Sequence, residues 1–102
     1  MIPNISPKHW EILVKIFEKY PNIKEVILYG SRAKGTQNER SDVDLAIKNS
    51  PISYQEFVKI LAEIEESNFP CLIDMQIFEQ TQNQRLLEEI EMYGKTIYQA
   101  HN

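Results

Sequence analysis

Only one cysteine, Cys71, occurs in 102 residues, so no disulfide can form within the chain. No stretch approaches the roughly 18 consecutive apolar residues that a membrane span requires. The opening "MIPNISPKHWEI" lacks the basic start and apolar centre of a secretory signal. A cytoplasmic location with no membrane partner is the expectation. Glycine and proline are also scarce, at three and five, and neither gathers into a linker. With no repeat or low-complexity tract, residues 1–102 read as one domain, long enough to fold alone. Positive charge is short too. The formal net charge is −4, which argues against broad binding to nucleic acid.

What is present is regular patterning. Ser6-Pro7 suits a helix start, with Ser6 as N-cap and Pro7 at the first helical position. Trp10, Leu13, Val14 and Phe17 then recur at helical spacing until Pro21-Asn22. "EVILYG" is a short apolar run, read as a buried strand. "DVDLAIK" alternates: Val43, Leu45 and Ile47 point one way, and Asp42, Asp44, Ala46 and Lys48 the other. "SYQE" at Ser53 has capping-box form and opens a helix with Phe57, Ile60, Leu61 and Ile64 inward. "CLIDMQIF" is a third strand, with Asp74 and Gln76 on one face. A last helix covers Asn83 to Tyr93, with Leu86, Leu87 and Ile90 inward and Gly94 as its C′ residue; "KTIYQ" follows as a short strand. The helical crossover between strands two and three implies a parallel, right-handed connection. The fold class is α+β: a small mixed sheet with helices on one face. The face that carries Asp42, Asp44, Asp74 and Gln76 is left open to solvent or ligand.

That face is where chemistry is expected. Asp42 and Asp44 project together, and a parallel third strand brings Asp74 to the same edge. A first strand antiparallel to the second delivers Gly30-Ser31 there as well. Clustered carboxylates repel and raise one another's pKa unless a cation neutralises them. Mg²⁺ takes such hard oxygen ligands together with substrate phosphates, and two ions about 4 Å apart can clamp a phosphoryl displacement. Gly30 lets the backbone turn and approach a phosphate closely, Ser31 offers a hydroxyl and an N–H, and Gly35 ends a short helix between them. Between Ser31 and Ser41, Arg32, Lys34 and Arg40 outnumber Glu39, a basic island in an acidic chain. His9 and His101 have no ligand spacing, Cys71 reads as a small buried residue, and Glu88-Glu89-Glu91 as a solvated helix face.

The stretch "YGSRAKGTQNERSDVDLAI", followed by "LIDMQIF", resembles the nucleotidyltransferase superfamily that includes DNA polymerase β, and most closely its stand-alone minimal nucleotidyltransferase (MNT) proteins. The likeness runs from the first helix to "YGKTIYQ". It implies a palm-like fold and transfer of a nucleoside monophosphate from a triphosphate to a hydroxyl, with release of pyrophosphate. Asp42, Asp44 and Asp74 then correspond to the metal ligands and catalytic acids, Asp74 also helping to deprotonate the attacking hydroxyl. Gly30 and Ser31 correspond to the triphosphate turn, with Arg32 and Lys34 as nucleotide neighbours. Two Mg²⁺ ions and ATP are the implied cofactor and substrate. MNT proteins are commonly paired with a small helical HEPN protein, some as antitoxins that transfer AMP to a tyrosine of the partner. Three functions remain in view: an active transferase, a contact-only binding module, and a nucleotide-sensing regulator. Retention of the acids, the glycine and the serine favours the first. Base preference and homo-oligomer formation stay open.

Overall fold

A computed structural model describes residues 5–35 and 42–100. Glu39 and Arg40 of the basic island, and His101, lie outside the described residues. Helix α1 (Pro7–Glu18) begins as its sequence predicts: the Ser6 hydroxyl accepts the His9 amide at 3.3 Å, and Pro7 sits in the first turn. Strand β1 (Glu25–Tyr29) leads into the one-turn helix α2 (Ser31–Lys34), and strand β2 (Val43–Lys48) follows. Helix α3 (Tyr54–Glu66) carries the complete capping box of Ser53 and Glu56. Strand β3 (Ile73–Ile77), a 3₁₀ turn over Phe78–Gln80, helix α4 (Gln84–Tyr93) and strand β4 (Lys95–Gln99) complete the order.

The sheet runs β3-β2-β1-β4, with β2 parallel to β3 and β1 antiparallel to both β2 and β4. This is the mixed sheet expected from the crossover. Its first face presents Val26, Leu28, Val43, Leu45, Ile47 and Met75 to the buried stripes of α1 (Leu13, Ile16, Phe17) and α3 (Ile60, Ile64). Each fully buried side chain of this kind contributes about 1.5–3 kcal/mol. The Tyr98 ring of β4 closes the cluster against Phe17, with centroids 5.3 Å apart.

The second face is only partly open. Ile90 of α4 packs on Ile27, Tyr29 and Ala46, with Leu86 and Phe78 at the margin. The one-sided apolar alternation of β2 predicts an open second face; α4 covers part of it, and the continuous apolar run of β1 is the mark of a strand covered on both faces. Gly94 also differs in kind from expectation. It follows α4 directly, yet in extended backbone (φ −63°), not in the left-handed region. Its lack of a side chain serves a close approach: a Cβ there would run into the Ile90 carbonyl oxygen and lie 2.7 Å from Ile27 Cγ2.

Candidate active site

Three adjacent strands set the site. The antiparallel register pairs Tyr29 with Asp44, and the parallel register pairs Asp44 with Asp74. Their side chains therefore stand in a row on the second face, running from Tyr29, buried against Ile90 of α4, through half-buried Asp44 to exposed Asp74. Asp42, two residues before Asp44 and just outside β2, is exposed. Gly30 caps this row. Its φ of +77° is one that side chains rarely adopt, and an added Cβ would strike the Asp44 carboxylate, 3.0 Å from Cγ. The glycine of the turn and the second acid of Asp42-Val43-Asp44 are thus in direct contact. Glycine here makes room for the carboxylate.

Gathering these acids has an electrostatic cost. Burial, then the charges of Asp74, Asp42 and Glu89, push the Asp44 carboxyl up to about 6. Burial and the Asp74, Asp44 and Glu89 charges likewise raise the Tyr29 hydroxyl well above its usual range. One neutral contact relieves the row: Gln76 Nε2 donates to Asp74 Oδ1 at 3.2 Å. Among the described residues no group of three or more His, Cys, Asp or Glu is arranged to hold a metal ion. What the row supplies is hard, mutually repelling oxygen donors, a donor set suited to a divalent cation.

The turn behaves as its sequence suggests. The Gly30 carbonyl accepts the Ala33 and Lys34 amides, both at 3.1 Å, and Gly35 ends α2 in the left-handed conformation, φ +80°. Ser31 is half-buried at the head of α2. The two cations part company. Arg32 is 1% exposed, and its Nη2 donates to Cys71 Sγ at 3.5 Å, so this guanidinium is buried beside the residues that lead into β3. Lys34 instead turns to α4: its Nζ lies 2.6 Å from Glu89 Oε1 and 5.1 Å from the centre of the Tyr93 ring. Glu89 is therefore no solvated bystander, in contrast with the exposed Glu88 and Glu91. The signal was in the spacing: Leu86, Glu89, Ile90 and Tyr93 share one helical stripe.

The sequence pattern of the polymerase beta nucleotidyltransferase family matches residues 11–102. The chain belongs to that family. Over 64 residues it is 38% identical to a candidate protein adenylyltransferase of Methanocaldococcus jannaschii, a match spanning 63% of this chain and 60% of that protein's length. Its fold is similar to a toxin–antitoxin structure with AMP-PNP, at TM-score 0.69 and 18% identity over 89% of this chain and 73% of that one. A candidate nucleotidyltransferase from Sulfolobus solfataricus superposes at TM-score 0.53, with 17% identity over 88% and 76% of the two chains. At these identities the likeness is one of fold. The chain has the palm-like sheet of its family, and among its described residues no helix is long and apolar enough to cross a membrane.

Proposed function

We propose that this nucleotidyltransferase moves AMP from ATP to a hydroxyl acceptor, a tyrosine of a small helical HEPN-type partner, and so serves as the antitoxin of a pair. The observation that carries the reading is the contact of Gly30 with Asp44, with Asp74 beside it in register. That contact joins the turn suited to phosphate to the carboxylates suited to a metal. The candidate adenylyltransferase relative and the toxin–antitoxin folds support the choice of AMP and of a protein acceptor.

In this reading Asp42, Asp44 and Asp74 would hold Mg²⁺, which supplies charge neutralisation for the triphosphate when bound. The turn at Gly30 and Ser31 orients the triphosphate, with the Ser31 hydroxyl and amide as donors to its oxygens. The acceptor oxygen forms a bond to the α-phosphorus as the bond from that phosphorus to the bridging oxygen breaks. Pyrophosphate leaves, and the acceptor's proton passes to the Asp74 carboxylate. Catalysis of this kind is chiefly positioning and electrostatics, so most of the rate depends on a second surface that orients the acceptor.

Incubation of the chain and its partner with ATP labelled at the α- or, separately, the γ-phosphate tests the reading. Label on a partner tyrosine from the α position alone is the expected result. Label from the γ position would mean a kinase. No label from either, with a tight complex and a neutralised partner, would mean inhibition by contact.

A further inference from the structure

Among the described residues, the ion pair of Lys34 and Glu89 is short: 2.6 Å, against 3.6 Å for Lys19–Glu63 and 3.9 Å for Lys15–Glu11. The pair is also more enclosed than Lys15–Glu11, with side chains 36% and 31% exposed against 71% and 65%. The face of Tyr93 holds the same ammonium from the side. Two elements meet here. One is α2, which begins immediately after Gly30. The other is α4, fixed on the second face of the sheet by Ile90. Glu89 is close enough for its charge to act on Asp44 and Tyr29 as well. A carboxylate of the chain thus occupies a cation beside the turn, at an edge already rich in negative charge. Carboxylate and phosphate oxygens make the same short, charge-assisted bond to an ammonium.

We infer that Glu89 is a built-in competitor for Lys34: its carboxylate stands where a phosphate oxygen would, and a polyphosphate binds by displacing it. Glu89 then sets the affinity of the edge for anions and keeps Lys34 aligned between uses. The inference deepens the nucleotide reading above and rests on it. It has a distinctive signature, because removing Glu89 helps the ligand chiefly through the cation it releases.

Calorimetric titration of the full chain with ATP, and separately with inorganic tripolyphosphate, each with and without Mg²⁺, tests it. Glu89→Gln should tighten both ligands about two- to five-fold, the scale of an exposed to half-exposed ion pair. Lys34→Met should weaken both, and adding Glu89→Gln to Lys34→Met should bring a much smaller gain than Glu89→Gln brings to the natural chain. Circular dichroism and melting curves establish that each variant is folded. An equal gain in both backgrounds would show repulsion at a distance and overturn displacement; so would unchanged or weaker binding in Glu89→Gln. If Glu89→Gln has no effect while Asp44→Asn still lowers Mg²⁺-dependent ATP affinity, the inference fails and the nucleotide reading stands. If neither the natural chain nor any variant binds ATP, both fail.

Discussion

Replacing Asp44 with asparagine should stabilise the protein at neutral pH when no divalent cation is present. The carboxyl is pushed up to about 6 from an ordinary 3.8, chiefly by burial and then by Asp74, Asp42 and Glu89. A shift of roughly two units corresponds to about 3 kcal/mol at 1.36 kcal/mol per unit. Asp44 is only half-buried, so solvent screening reduces the expected effect to about 1–2 kcal/mol. The sign follows from the direction of the shift. The folded chain holds this proton more tightly than the unfolded one, so the contribution is fully present below about pH 4 and is lost as pH rises through about 6. Asparagine keeps the shape beside Gly30 without the charge. The variant should therefore match the natural chain near pH 4 and exceed it by about 1–2 kcal/mol near pH 8. For a domain of this size, each kcal/mol is about 4–8 °C in melting temperature. Urea and thermal unfolding in EDTA, at both pH values, measure the difference. Millimolar Mg²⁺ should narrow it by satisfying the natural carboxylates. A variant no more stable at pH 8 than at pH 4, relative to the natural chain, would refute the claim that the acid row is held at a cost.

Gly30→Ala should destabilise the fold by about 1–3 kcal/mol, from its positive φ and the collision with Asp44; Asp44→Ala in the same chain should recover the steric part, as read by urea midpoints. Ser31→Ala should cost roughly 1–3 kcal/mol of ATP binding and little of adenosine binding, compared by calorimetry. Equal losses for the two ligands would move the phosphates away from the turn. Asp74→Asn should suppress α-phosphate transfer to a partner more than it weakens ATP binding, seen by pairing labelled-gel and titration measurements. Leu45→Ala, at a fully buried position of the first face, should lose about 2–5 kcal/mol in urea unfolding without altering the acid row.

Much of this was legible because local chemistry and period agree. Ser6 and Ser53 announce their helices by side chains that can reach orphan amides, and both do so. The two-residue period of β2 places Asp44 opposite the core face, and the helical crossover makes β3 its parallel neighbour. The juxtaposition of Gly30, Asp44 and Asp74 follows from those facts. The placement of α4 did not follow. A helical period shows which stripe of a helix is buried, not which face of a sheet receives it. The directions of Arg32 and Lys34 were equally hidden. They share a single turn of helix, and only the packing of α2 against the strands sends one inward to Cys71 and the other outward to Glu89. Charge type alone cannot distinguish a buried guanidinium from a ligand contact.

The pairing of β1 with β4 has a consequence for synthesis on the ribosome. β1 is an inner strand, yet its second neighbour spans Lys95–Gln99 and the aromatic contact to Phe17 comes from Tyr98. About 70 residues separate the two strands, so at roughly 5–20 residues per second one edge of β1 waits some 4–14 s for its partner to be made. During that interval an apolar strand has backbone donors and acceptors open on that edge, where another chain could pair with them. A chain in which Lys95–Gln99 is missing or cannot dock would have its inner strand turned into an edge. Such a product should aggregate or be degraded far more readily than a chain with β4 in place.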